Sequence, residues 1–411
     1  MLLSGLFIYL FLIIIRPQDF VSALLGLPLV YVTMVCILFV WFFSSGDKRL
    51  IKTGQDKYVV FLYILMILST LTLHWLPYMV STFKETMKVF LIYWFIVTIV
   101  DNEERFKTVI WMVVSLMFLV AMMGVLQFHG YDITGVGLLY DRGNYRVRLT
   151  GIFDNPNDIA YSIMLVIPFA LGLILDGKIF ERLVGIAIFS AGIYCEMLCG
   201  SRGGQVALVV SMVVFFYYWF EKPIVRRIFF ILGIAIVTVS ISIQAKDYRS
   251  DSSAMNRVDA WGVAWELMKQ NPVLGVGKDQ FRENHKRDTH SSYMRAASEL
   301  GLPGIYAFIA IISLAMRNMI FLLRHTPHGK ERYYFSSIVG YLGGFLMGSI
   351  FSTRLYDPVF MLMIALSSAA CRNKIRQYGE GTFMVPLVNK VLVVRTFLVL
   401  IGLKLFMVQA W

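Results

Sequence analysis

The chain holds 411 residues, 58% hydrophobic and 16% charged, with mean hydropathy +0.69 and formal net charge +12. Soluble domains carry about 45–50% apolar residues, glycine included, so this composition excludes an ordinary cytosolic enzyme. It equally excludes an intrinsically disordered chain or a nucleic-acid-binding arm, and reads as an all-α, polytopic membrane protein.

Crossing the hydrocarbon layer takes about 20 apolar residues in a helix. Spans are predicted near 1–15, 20–43, 58–73, 79–100, 106–128, 156–175, 183–200, 203–220, 226–243, 299–323, 333–352 and 355–371. That is a transmembrane bundle of about twelve helices. The first stretch has no basic residue before it and no small-residue cleavage pattern after it. It therefore reads as a retained helix and not as a signal peptide. A further apolar stretch, 385–408, carries Lys390, Arg395 and Lys404, which do not share one face; spanning and interfacial placements both stay open. The predicted organisation is transmembrane helices over 1–243, one large loop domain over 244–298, and further helices with an apolar C-terminal segment over 299–411. Cys36, Cys195, Cys199 and Cys371 lie in apolar runs and read as small buried residues.

Lys and Arg in short loops set orientation. With the N-terminus inside, the inner loops collect most of them, from Lys48, Arg49 and Lys52 to Arg372, Lys374 and Arg376. The outer short loops hold only Arg16, Arg142, Arg146, Arg148, Arg202 and Arg354. All are arginine, the residue suited to bidentate phosphate or carboxylate contacts. Other polar groups gather on the same side: Lys84, Glu85 and Lys88, then Asp154, Asn155, Asn157 and Asp158, then Glu196 and Asp357. Ionisable groups within spans are costly and mark functional sites.

The loop 244–298 then lies outside. Ser252 or Ser253 can cap a helix that runs through Val258, Trp261, Trp265 and Met268 and stops at Asn271-Pro272. Its two tryptophans suit the membrane interface. Gly275-Val276-Gly277 is a turn and lacks the third glycine of a dinucleotide fingerprint. A second helix is predicted from Thr289-His290, broken around Gly301-Leu302-Pro303-Gly304. Three residues stand out. Arg202 sits in the tight turn Ser201-Arg202-Gly203-Gly204, Arg257 opens the first loop helix, and His290 lies at a helix N-terminus. That terminus disfavours imidazolium and so favours the neutral form a general base needs. Each also has a plainer reading: a helix-capping arginine, a solvated interfacial arginine and a capping histidine.

The ordered pieces resemble the O-antigen ligase and polymerase superfamily of bacterial inner-membrane glycosyltransferases, with the lipopolysaccharide O-antigen ligases most similar. They are Gly151-Ile152-Phe153-Asp154-Asn155-Pro156-Asn157, Ser201-Arg202-Gly203-Gly204, Asn256-Arg257-Val258 to Trp261, Asn271-Pro272-Val273-Leu274-Gly275-Val276-Gly277, and His290 to Glu299-Leu300-Gly301-Leu302-Pro303-Gly304. They cover roughly 150 to 305. Each piece is weakly specific and the ordered set much more so. Many members have Asn after the histidine; here Ser291 stands there.

The resemblance implies transfer of a glycan from undecaprenyl pyrophosphate to a hydroxyl of lipid A-core on the periplasmic face, with inversion and without a metal or other cofactor. Its essential arginines would match Arg202 and Arg257, and its essential histidine His290. The chemistry fits those residue types. Two arginines can stabilise a departing pyrophosphate, and a histidine can take the acceptor proton. Arg142, Arg146, Arg148, Asn155, Asn157, Arg354 and Lys88 are the further substrate-binding candidates. The partners implied are the lipid-linked donor, lipid A-core and membrane lipids, with no nucleic acid. A polymerase or protein O-oligosaccharyltransferase of the same superfamily remains open. A secondary transporter is a weaker alternative, because no repeat relates the halves. A purely structural membrane scaffold would tolerate Arg202→Lys without effect.

Overall fold

The computed structural model describes residues 1–44, 47–73, 76–141, 143–248, 252–327 and 330–410; side chains are described there except at 72–73, 236–248, 252–256, 330–331 and 408–410. The chain is 77% helical. Its helices are α1 (Leu2–Ile14), α2 (Leu29–Phe43), α3 (Gly54–Ser69), α4 (Leu76–Ile99), α5 (Glu103–Phe128), α6 (Pro156–Ile163), α7 (Val166–Asp176), α8 (Ile179–Cys199) and α9 (Arg202–Trp219). They continue as α10 (Pro223–Tyr248), α11 (Ser252–Gln270), α12 (Phe281–Asn284), α13 (Ser292–His325), α14 (Lys330–Phe351), α15 (Pro358–Tyr378) and α16 (Lys390–Ala410). Between α5 and α6 lies an antiparallel hairpin, β1 (Leu139–Asp141) with β2 (Asn144–Arg146). The fold is thus nearly all-α.

Each predicted span contains a helix. Among the described residues, five helical stretches are long and apolar enough to cross a membrane: Glu103–Phe128, Pro156–Asp176, Ile179–Cys199, Ser292–His325 and Arg332–Phe351. The predicted span at 156–175 is two helices. Pro168 explains the break, since it has no N–H for the carbonyl four residues back and its ring crowds that turn. Cys195, Cys199 and Cys371 are buried, whereas Cys36 is exposed on α2.

Two compact units emerge. The first comprises Met1–Lys48, Phe95–Val237 and Met319–Gly348; the second comprises Arg49–Trp94, Thr238–Asn318 and Ser349–Trp411. In the first, small residues let helix backbones approach, the usual device where lipid offers no hydrophobic drive. A Cβ at Gly185 would lie 2.8 Å from Leu173, and one at Gly192 would lie 2.7 Å from Ile167, so α8 packs closely on α7. Gly340, Gly344 and Gly348, four apart on α14, face Phe215, Met164 and Tyr161 in the same way.

In the second unit, α3 starts with a capping box, Thr53 with Asp56. Buried Asp56 also accepts from Arg372 (2.8 Å), Ser368 (2.5 Å) and Tyr93, which fastens α3 to α15 and α4.

The break in α13 has a local cause. Gly301 adopts φ 68°, ψ −165°, a conformation essentially reserved for glycine. Pro303 cannot donate to Glu299 O, and the Leu302 N–H turns away to Pro272 O (2.8 Å). The freed carbonyls are taken by the preceding loop: Val276 N–H donates to Ser298 O (2.9 Å) and Gly277 N–H to Glu299 O (3.1 Å). Gly275, with φ 66°, fits only because it lacks a Cβ, which would lie 2.3 Å from the Glu299 backbone. The Asn-Pro-Val-Leu-Gly-Val-Gly and Glu-Leu-Gly-Leu-Pro-Gly pieces are therefore two halves of one docked backbone unit. Gly301→Ala is expected to lower the Tm of the detergent-purified protein sharply: strained φ/ψ alone costs about 1–3 kcal/mol, and the new methyl meets Pro272 O at 2.6 Å. Gly262→Ala on α11, where a Cβ meets nothing within 4 Å, should leave the Tm unchanged or slightly raised.

Candidate active site

In the first unit, α8 ends on Gly200 in the left-handed region (φ 58°), and Ser201 caps α9 by accepting from Gly204 N–H (3.2 Å). Arg202 is thus the first residue of α9, half-buried. A cation at that end opposes the helix dipole, so its placement there is not explained by helix stability.

The neighbouring Arg146 is a three-way clamp. It donates to Cys199 O (2.7 Å), Asp141 Oδ2 (3.0 Å) and Asn157 Oδ1 (3.1 Å), joining the hairpin to the ends of α8 and α6. Arg148 lies 3.4 Å from exposed Asp154, and Gln127 holds its backbone N–H and carbonyl. Asn155 is the N-cap of α6, accepting from Asn157 N–H (2.9 Å). Arg142 lies outside the described residues.

Glu196 is 2% exposed, and neither carboxyl oxygen has a hydrogen-bond partner among the described residues. A Cβ on Gly204 would come within 2.6 Å of its Oε1, which accounts for glycine at that position.

In the second unit, the stripe predicted on α11 is buried: Val258, Trp261 and Met268 are 2–7% exposed. Trp261 is a core residue here and not an interfacial one. Its ring packs on Phe406 of α16, and its indole N–H donates to Thr289 O (2.8 Å). A buried indole needs such a partner, and this one ties α11 to the loop before α13. Arg257 lies one turn earlier on the same stripe, so the anchor directs it towards residue 290. Arg257 Nε is buried without a hydrogen-bond partner among the described residues.

His290 directly precedes Ser291, whose carbonyl accepts the Arg295 N–H (2.9 Å) in the first turn of α13. The helix start is fixed from beyond: Ser291 Oγ donates to Ser349 O (3.3 Å), and Ser292 Oγ donates to Ser352 O and accepts Arg354 N–H (both 2.8 Å). His290 itself holds φ 46°. Such left-handed positions are uncommon outside glycine, and strained ones gather at functional sites.

Burial, then the Arg257 guanidinium, hold its imidazole below the usual histidine range; Arg282 and Arg287 add to this, and Asp288 opposes it. Among the described residues its ring makes no hydrogen bond. His285 contrasts: one ring nitrogen lies 3.0 Å from Asp259 and the other 2.9 Å from Arg287 O. His129 pairs with Tyr194 OH (3.0 Å) and His325 with Phe321 O (2.8 Å). His74 lies outside the described residues.

Arg354 is buried and ion-paired with Asp357 (2.7 Å), the N-cap of α15. Lys88 is half-buried on α4. The second unit thus brings Arg257 and His290 together, while Arg202, Arg146, Arg148 and Asn157 belong to the first.

The sequence reading missed a buried charged network beside His290. Arg295 contacts Glu299 (2.9 Å), Asp279 (3.1 Å) and Asp288 (3.4 Å), and Tyr356 OH donates to Glu299 (2.8 Å). The i,i+4 spacing of Arg295 and Glu299 was its only visible signal.

A family model described as O-antigen ligase matches residues 186–309. The match covers less than a third of the chain, and that segment is similar to the O-antigen ligase family. A comparison with curated proteins returned no match. The O-antigen ligase region contains Arg202, Arg257 and His290, and it leaves Arg146, Arg148, Asn155, Asn157, Arg354 and Lys88 outside. The similarity of the matched segment and the apolar helices together fit a multi-pass membrane protein with an O-antigen ligase or polymerase type of function. This similarity points to a glycan-transferring enzyme.

Proposed function

We infer that the protein is an inner-membrane O-antigen ligase with about twelve spans and its chemistry on the periplasmic side. It transfers a glycan from undecaprenyl pyrophosphate to a hydroxyl of lipid A-core. His290 takes the acceptor proton. The acceptor oxygen forms a bond to the anomeric carbon from the face opposite the pyrophosphate, whose C–O bond breaks as it leaves with the electron pair. The anomeric configuration inverts. Arg202 and Arg257 stabilise the charge on the leaving pyrophosphate, a task guanidinium groups perform without a metal.

The observation that carries this reading is His290. It lies inside the matched region, burial and the Arg257 guanidinium hold its imidazole below the usual histidine range, and its ring has no hydrogen-bond partner among the described residues. Arg142, Arg146, Arg148, Asn155, Asn157, Arg354 and Lys88 are assigned supporting contacts to glycan or phosphate. For Arg146 and Arg354 the observed partners favour a positioning role.

A deletion strain tests the reading. Loss of all long glycan from lipid A-core, with lipid-linked polymer accumulating, is expected. Loss of chain length with one unit still attached would mean a polymerase.

The pH profile gives a second test. A lowered histidine pKa keeps the base neutral as pH falls, so the acid limb of kcat/KM should lie below about 6.5, the ordinary histidine value. Arg287→Gln removes one of the charges that disfavour imidazolium and should move that limb upward with the plateau rate retained. An acid limb that survives unchanged in the residual activity of His290→Asn would exclude His290 as the titrating base.

A further inference from the structure

The hairpin β1–β2 displays two tyrosines that nothing above uses. Tyr140 and Tyr145 are directly opposed across the strands, so both rings stand on one face. Their centroids are 5.0 Å apart with planes at 56°, and they are 63% and 62% exposed. The other face carries Leu139, Asp141, Asn144 and Arg146.

Three-residue strands are not stable alone, and this hairpin is held from behind. Arg146 pins it to Cys199 and Asn157. Gln127 Nε2 donates to Arg148 O (2.6 Å), and its Oε1 accepts the Arg148 N–H (3.0 Å). Val147 and Leu149, 0% and 2% exposed, sink the following segment into the first unit. A rigid anchorage thus holds two bare aromatic rings outward.

We propose that Tyr140 and Tyr145 form a platform for sugar rings of the glycan chain. This rests on the glycan-transfer reading above. Pyranose rings offer flat C–H faces that stack on aromatic rings and hydroxyls that seek polar edges. The next cross-strand pair, Asp141 and Asn144, is polar and stands on the opposite face of the hairpin, which is clamped to Cys199, three residues before Arg202. A lipid-inserted tip would instead carry apolar residues in place of Asp141 and Asn144. The platform would hold sugars away from the pyrophosphate, so it should matter for long donors and not for short ones.

The test compares wild-type and Tyr140→Ala/Tyr145→Ala proteins in proteoliposomes with lipid A-core. The donors are undecaprenyl pyrophosphate bearing one sugar and the same carrier bearing several repeat units. An aromatic contact is worth a factor of about 2 to 10. The double variant should therefore raise KM for the long donor about tenfold, with kcat and the one-sugar KM unchanged. Tyr140→Phe/Tyr145→Phe should bring the long-donor KM most of the way back to the wild-type value. Equal KM changes for both donors, or reduced membrane insertion with normal KM, would overturn the platform and mark the tyrosines as interface anchors. Wild-type protein that transfers neither glycan would instead overturn the transfer reading.

Discussion

His290→Asn is expected to cut glycan transfer about 10³-fold, within the usual range for loss of a general base, while the protein stays folded and inserted. Asparagine is the informative replacement. It tolerates the left-handed backbone at this position (φ 46°) better than alanine does. It also keeps a polar side chain and removes the basic nitrogen. Stability should change little, because the imidazole makes no hydrogen bond to any described residue and the helix start is held by Ser291 and Ser292. The loss should fall on kcat, since the proton moves only in the transition state. His285→Asn should behave oppositely. It breaks the link to Asp259 and so lowers Tm, with transfer per folded molecule largely kept. Near-normal attachment in the His290 variant would remove the base assignment.

Arg202→Ala and Arg257→Ala are each expected to lower kcat by about 10²–10³, the range found when one group that stabilises developing negative charge is removed. Lysine at either position should recover only part of the rate, because it keeps the charge but loses the planar fork that matches phosphate oxygens. Stability separates the functional reading from the structural one. Arg202 stands at the positive end of α9, where a cation is unfavourable, so the helix dipole does not call for an arginine there. Arg257 buries Nε without a hydrogen-bond partner among the described residues, so its guanidinium is not held there by a local bond at that atom. A large fall in Tm with unchanged transfer per folded molecule would make either arginine structural. Because Arg257 also helps to keep His290 neutral, its variants should move the acid limb of the residual activity upward as well.

Hydropathy located the helices because apolar runs of span length have few other uses, and each predicted span contains one. Pro168 was in plain view, yet whether a proline kinks or divides a span depends on how neighbours meet the freed carbonyl. The helix 252–270, its end before Asn271-Pro272 and the break at Gly301 were all legible, since capping residues, proline and glycine act locally. What the glycines were for was not legible. Gly275 and Gly301 are required by a backbone docking between segments some 25 residues apart in sequence. Trp261 was misassigned to the interface for the same reason: its partners, Thr289 and Phe406, are distant along the chain. The hairpin at 139–146 escaped because three-residue strands carry too little periodicity to stand out. His290 could be singled out from its position before a helix, but its separation from His285 rests on hydrogen bonds that only the fold supplies.

The proposed reaction moves the lipid-linked glycan to lipid A-core with release of the carrier pyrophosphate. The most direct measurement places purified protein in proteoliposomes with an undecaprenyl-pyrophosphate glycan and lipid A-core, and follows both products together. Equimolar appearance of glycosylated lipid A-core and free undecaprenyl pyrophosphate is predicted. Lengthening of the lipid-linked glycan with lipid A-core left unmodified would contradict it.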